Sequence, residues 1–269
     1  MKEGGIYMSK FTDLAAQITS NALYVVSFLI IIAGLFVCSV IAEYIIRKRQ
    51  GITDKTSAAR RAASAGLLSA IAAVLMLFEI PMPFAPSFYK LDLSELPVMI
   101  GAFAFGPSVG VLIEFIKIIL KLFMKGTSTA FVGELANFAV GASYVIPAAT
   151  LYYAKKTKKN AALSCVLGTI CITAFGTAFN ALYLLPAFAK LYGMPLEVIL
   201  AMGSEVNPLA GDNNIVTFVL ACVAPLNLIK GTVNSLLTLL IYKKISPVLK
   251  GAGIGADLVK TGKKEAVEE

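Results

Sequence analysis

FEIPMPFAPSFYKLDLSELPVMIGAFAFGP, residues 78–107, leaves one apolar segment, passes through a loop punctuated by Pro81, Pro83 and Pro86, and enters a second apolar segment that stops at Gly106–Pro107. The loop sets Phe84, Phe88 and Tyr89 among Lys90, Asp92, Ser94 and Glu95. It is too aromatic for a plain solvent linker and too polar to lie in lipid. Such a mixture reads as a lid over a cavity that opens at a membrane face.

The rest of the chain supplies the membrane. Of 269 residues 58% are hydrophobic, against about 45–50% apolar in ordinary globular domains even with glycine counted. The excess lies in long runs. A bilayer core about 30 Å thick needs roughly 20 apolar residues per helix, and backbone in lipid must hydrogen-bond to itself, so spans without a barrel's alternating period are helices. Seven are expected, over residues 22–46, 62–80, 96–105, 109–124, 131–153, 161–189 and 215–242. The first is too long for a signal-peptide core and ends in Arg47–Lys48–Arg49, so it reads as a true helix with its N-terminus outside. The third is short for a crossing and is expected to be partly covered by the loop before it.

Net charge is +8, gathered into three blocks, Arg47 to Arg61, Lys155 to Lys159 and Lys243 to Lys264. Each flanks an apolar span, which points to cytoplasmic loops under the positive-inside rule and away from nucleic acid. Alternation then places the C-terminus in the cytoplasm and the loops 81–95, 125–130 and 190–214 outside, with only Lys90, Lys125 and Lys190 on them. The expected organisation is a segment 1–61 holding an extra helix and a basic linker, a six-helix core 62–245, and a disordered tail 246–269. Histidine is absent, which removes imidazole acid–base chemistry and His metal ligands. Cys38, Cys165, Cys171 and Cys222 lie in apolar runs without ligand spacing and read as small buried hydrophobes. No Gly-rich phosphate loop is present, so the chain does not itself hydrolyse ATP.

Polar side chains at membrane depth mark function by default. Glu114 and Lys117 can pair on one helix face, with Lys121 one turn on. Glu134 and Asn137 stand at the start of the fifth span, and Asn180 in the sixth. Each has a plain alternative as a hydrogen bond between helices. Asn227 and Lys230 follow Pro225, which frees a backbone carbonyl. A lysine so far from the cytoplasmic end cannot snorkel there and needs an acceptor or an aqueous cavity. Ala62, Gly66 and Ala70 form a stripe of small residues that lets another helix approach closely. That helix could belong to this chain or to another subunit.

These segments resemble the substrate-binding S components of energy-coupling-factor (ECF) transporters, of the riboflavin-binding type. The stretches that carry the resemblance are residues 78–117, TSTAFVGELANFAVGASYVIPA at 127–148, FNALYLLPAF at 179–188 and APLNLIKG at 224–231. They follow the family's order over most of residues 62–245. The resemblance implies an all-α integral membrane protein, with six helices around a vitamin pocket open to the outside and the N-terminal helix as an addition. It implies Asn180, Asn227 and Lys230 as polar ligand contacts, with Glu134 and Asn137 in a matching segment. Phe88, Tyr89, Lys90 and Leu91 would belong to the lid. Ala62, Gly66 and Ala70 would dock on a transmembrane coupling subunit, with two ATPase subunits completing the importer. Riboflavin would be the transported ligand, and no cofactor, metal or catalytic residue is expected. Three features depart from the pattern: the extra N-terminal helix at 22–46, the long connection 190–214, which could add a second flap, and Ile118 after Lys117, where a polar residue would be expected.

Riboflavin suits such residues. Its flat ring needs apolar walls, which Leu, Phe and Tyr supply in a chain without tryptophan. Its polar edge carries donors and acceptors that an asparagine amide can match. The lack of a phosphate cradle favours the free vitamin over its phosphorylated forms. The rival readings are an S component for another vitamin or flavin, a membrane-embedded enzyme, and a stand-alone channel or carrier. The enzyme lacks histidine and paired carboxylates at fixed spacing. The channel or carrier lacks visible inverted repeats.

Overall fold

The computed structural model describes residues 22–50, 56–127, 129, 131–211 and 214–250. The linker around Lys55 lies outside the described residues, as does the expected disordered tail beyond Lys250, whereas the first residues of that expected tail, 246–250, are helical. Helix α1 spans Ala22–Gln50 and closes on Arg47, Lys48 and Arg49, cations that complement the negative end of the helix dipole. Helix α2 spans Ala58–Leu75, with the Ser57 hydroxyl accepting the Arg60 N–H as its N-cap. The segment expected to form a lid, called the lid below, follows as a hairpin, β1 (Ile80–Pro81) antiparallel to β2 (Lys90–Leu91), with Ile80 opposite Leu91. Apolar character continues to residue 80, but the helix does not. A residue before proline is pushed to extended backbone, so Ile80 pairs in the hairpin.

Helices α3 (Glu95–Phe105) and α4 (Pro107–Lys125) are separated by Gly106 at φ 108°. This left-handed conformation suits glycine, and Pro107 then starts the next helix where its missing N–H costs nothing. Helix α5 is Val132–Ala154 and α6 is Lys158–Phe179, the latter N-capped by Thr157. A π-helical turn, Asn180–Leu184, joins α6 to α7 (Leu185–Tyr192). Helix α8 (Leu196–Val206) and a 3-10 turn (Pro208–Ala210) lie in the long connection. Helix α9 (Ile215–Phe218) passes through a second π-helical turn, Val219–Val223, into α10 (Ala224–Lys250).

Both π turns precede a proline, Pro186 and Pro225. A proline cannot donate to the carbonyl four residues back, and an extra residue in the turn absorbs the break. For Pro225 that carbonyl belongs to Ala221, and the Asn207 amide donates to it at 3.0 Å.

Five helical stretches are long and apolar enough to cross a bilayer, Leu29–Gln50, Ala58–Leu75, Val132–Ala154, Lys158–Tyr192 and Ile215–Leu249. Helix α4 is long enough but carries Glu114, Lys117, Lys121 and Lys125. The short α3 is enclosed by α2, α4, α5 and α10, with ten of its eleven residues buried. Its length, short for a crossing, goes with this enclosure by neighbouring helices. Helix α1 packs on α4 and α5. Its Glu43 carboxylate accepts from the Ser108 N–H and hydroxyl at the start of α4 and pairs with Arg47 at 2.7 Å. Arg47 in turn donates to the Tyr153 hydroxyl at 3.2 Å, so the first basic block meets the end of α5 just before the second. Of the four cysteines, Cys165 and Cys222 are buried as expected, while Cys38 is exposed on α1.

Candidate functional site

The two π-helical segments, the lid and the starts of α5 and α10 enclose a cavity of about 640 Å³, within the range of small-molecule sites. It lies at the end of α5 opposite Tyr153, on the side of loops 81–95, 125–130 and 190–214. Asn180, Asn227, Lys230, Glu134 and Asn137 all line it, as do Phe88, Tyr89 and Lys90 from the lid. Leu91 is half-buried in the hairpin and does not line the cavity.

At one end the Tyr89 hydroxyl donates to Asn180 Oδ1 at 2.8 Å, while Asn180 Nδ2 donates to the Gly176 carbonyl at 2.7 Å. Gly176 also makes room for Asn227. A Cβ there would lie 2.6 Å from Asn227 Nδ2, so the missing side chain lets both amides share one wall. Lys230 Nζ pairs with Asp92 at 3.0 Å and lies 3.6 Å from Glu95. Burial alone would raise the Asp92 carboxyl, but Lys230, Lys117 and the Ser94 groups outweigh it and hold it at about 2. Asp92 stands just past β2, so this ion pair ties the base of the lid to α10.

The other end is built by Glu134. Its carboxylate accepts from Lys121 at 3.0 Å, Thr127 at 2.9 Å and Thr129 at 3.1 Å. Asn137 donates to the Gly133 carbonyl at 3.0 Å. The Thr127 hydroxyl also accepts the N–H of Phe131, which holds a left-handed φ of 70°. At the outer rim Glu79 Oε2 is shared by Lys90 at 2.9 Å and Lys125 at 3.1 Å. Partial burial would raise the Glu79 carboxyl, and the two lysines more than reverse this and lower it.

The lid is seated rather than loose. Ala85 and Tyr89 are buried in an apolar cluster with Leu185, Ile199, Leu200 and Phe218, and Phe88 packs 4.7 Å from Tyr89 and 6.2 Å from Phe188 between ring centroids. The long connection backs it, since Asn207 Nδ2 also donates to the Phe84 carbonyl at 3.2 Å. Lys117, by contrast, is fully buried and pairs with Glu114 and with Glu95 at 3.1 Å, outside the cavity. Ile118, beside it, is core. Ala62, Gly66 and Ala70 face outward on α2, while their neighbours Ala65, Ser69 and Ala73 are buried.

Sequence reasoning found the amides and the lysine but missed Asp92 and Glu95 as the partners of Lys230 and Lys117. It also missed the Lys121, Thr127 and Thr129 shell around Glu134. The signal was there in one respect: a buried lysine requires a carboxylate, and the lid carries two.

The model of the family described as ECF transporter, substrate-specific component, matches residues 60–242. The chain is 32% identical over 182 residues to the riboflavin transporter FmnP of Bacillus subtilis, covering 67% of this chain and 89% of that protein. It is 33% identical over 192 residues to the riboflavin transporter RibU of Staphylococcus aureus, covering 71% and 93%. Among solved structures it is similar to the S component of a bacterial ECF transporter, with a TM-score of 0.56 and 30% identity over 72% of this chain and 99% of that one. Helix α1 precedes the part that the family model matches.

Proposed function

Since the chain belongs to the substrate-specific component family of ECF transporters, we propose that it captures riboflavin from outside in this cavity. It is a multi-pass membrane protein and a transporter component, not an enzyme. In this reading the flavin ring lies against the Tyr89 and Leu226 side of the cavity, and Asn180, Asn227 and Lys230 address its polar edge. Glu134, Asn137 and the threonines near them are placed to meet hydroxyls. Phe88, Tyr89 and Lys90 close over the ligand. The cavity faces outside, the basic blocks and the C-terminus face the cytoplasm, and the N-terminus lies outside. An ATPase module, made of a coupling membrane subunit on the Ala62–Gly66–Ala70 face and two ATPase subunits, drives release inward.

One observation carries the reading: three polar side chains from two distant segments, Asn180 in the first π turn and Asn227 and Lys230 on α10, converge with a lid tyrosine on one cavity in a chain whose relatives are named as riboflavin transporters. The test is the identity of the small molecule that co-purifies. Mass spectrometry of protein from cells supplied with riboflavin should release riboflavin at about one per chain. Release of a different vitamin, or of FMN in preference, would move the assignment to that ligand.

A further inference from the structure

From Asp92 and Lys230 in the cavity wall a run of charge continues inward to Glu95, Lys117 and Glu114, which do not line the cavity. Asp92, Glu95, Glu114, Lys117 and Lys230 are 6%, 1%, 0%, 0% and 7% exposed. Lys230 spans Asp92 and Glu95, at 3.0 Å and 3.6 Å. Lys117 spans Glu95 and Glu114, at 3.1 Å and 2.8 Å, and donates to the Ser94 hydroxyl at 3.0 Å. The groups come from the lid's exit, α3, α4 and α10. Helix α5 faces them with Gly141 and Tyr144. A Cβ on Gly141 would lie 2.5 Å from Glu114 Oε1 and 2.9 Å from Glu95 Oε1, so the glycine admits two carboxyl groups side by side. Tyr144 turns its hydroxyl to Ser235 at 2.8 Å and supplies no donor.

Three carboxyl groups therefore face two ammonium groups. Fully ionised, the set has a net charge of −1 with almost no access to water, the kind of buried imbalance that is strongly unfavourable. Among the described residues the buried carboxyl oxygens without a hydrogen-bond donor fall in the same place: they are Glu95 Oε2 and both oxygens of Glu114, although Glu114 Oε1 faces the Lys117 charge. A metal ion would need several converging ligands, and among the described residues no three acidic, His or Cys side chains form such a group. A single proton between Glu95 and Glu114 removes both defects, because it cancels the excess charge and supplies the missing donor.

We propose that Glu95 and Glu114 share one proton, and that this proton leaves Lys230 with Asp92 as its counter-ion and with its remaining donors turned to the cavity. With it, Lys117 is matched by the glutamate pair and Lys230 by Asp92. Without it, the second negative charge at Glu95 competes for Lys230 and draws it away from the ligand. Ligand affinity then falls as pH rises through loss of the proton. The link to affinity rests on the reading of Lys230 as a ligand contact, whereas the proton itself does not.

The experiment is infrared spectroscopy of ligand-free purified protein at pH 7, reading the carbonyl stretch of a carboxylic acid, followed by riboflavin titrations across alkaline pH. The wild type should show the acid band, and Glu114→Gln and Glu95→Gln should each lose it, since either substitution balances the charges. Glu114→Gln should bind riboflavin within about threefold of wild type, with an affinity that no longer falls at alkaline pH, where wild type weakens about tenfold. Absence of the acid band from the wild type, or its survival in both variants, overturns the proposal. Should neither variant fold, the wild-type band at pH 7 still decides. If the band behaves as expected and riboflavin does not bind, the ligand reading fails while the proton site stands.

Discussion

Lys230 cannot be tested by simple truncation, because it is both a donor facing the cavity and the counter-ion of Asp92, 3.0 Å away. Removing one partner of a buried pair strands the other, at a cost of roughly 3–5 kcal/mol. Lys230→Met alone should therefore lower thermal stability. The double variant Lys230→Met with Asp92→Asn should recover stability but not riboflavin affinity; recovery of affinity would show that the ammonium does not touch the ligand. Asn227 carries no such burden. Asn227→Ala should weaken riboflavin by roughly 1–3 kcal/mol, about 5- to 150-fold in Kd, with an unchanged melting temperature, and equal affinity in calorimetry would remove it from the site. The Asp92 carboxyl also sets an acid limit. Its folded value of about 2 lies below the ordinary 3.8, so its stabilising effect is complete above the ordinary value and is lost as pH falls toward about 2. Wild type should lose about 2 kcal/mol over that window, and the double variant, with no carboxyl there, should lack this component in acid melts.

At the scale of the element, two helices have testable surfaces. The α2 stripe of Ala62, Gly66 and Ala70 is exposed, and a Cβ on Gly66 would meet nothing within 4 Å, so bulky residues fit there without disturbing this chain. Leu at all three positions should spare riboflavin binding and abolish uptake by the assembled importer; normal uptake would show that no subunit docks on that face. Helix α1 is held by Glu43 at the start of α4, the end remote from the cavity. Glu43→Ala should lower the melting temperature by leaving Ser108 and Arg47 without their shared acceptor, while riboflavin affinity stays unchanged. The sequence disclosed these helices because runs of apolar residues are local signals. It misplaced the end of α2 because the pairing of Ile80 with Leu91 is decided across the lid and not within the run. The same limit governed the site. Asn180, Asn227 and Lys230 stand out as polar residues in apolar surroundings. Their partners do not, because Tyr89 and Asn180 are 91 residues apart and Asp92 and Lys230 are 138 apart, and no periodicity links them.

Across the whole molecule the cavity opens toward the lid, and the far half of the bundle is filled. Below the cavity Phe103 stacks on Tyr152 at 4.3 Å and meets Tyr242 edge-on at 5.5 Å, and the Tyr242 hydroxyl donates to the Phe103 carbonyl at 3.0 Å. These rings sit in a continuous buried cluster drawn from α2, α3, α4, α5, α6 and α10. In lipid, helices hold together through close packing and hydrogen bonds rather than through expulsion of water, so a path through this plug would require many contacts to separate together. Among the described residues this packed cluster closes the far side of the cavity. Reconstituted alone in liposomes, it should bind riboflavin without ATP yet deliver none to the lumen, even down a steep riboflavin gradient. Addition of the coupling and ATPase subunits with ATP should start delivery, and substitution of Lys230 or Asn227 should reduce that delivery in step with binding. Riboflavin accumulating in the lumen without the module would identify a self-sufficient carrier, and would mean that the aromatic plug opens without an external energy source.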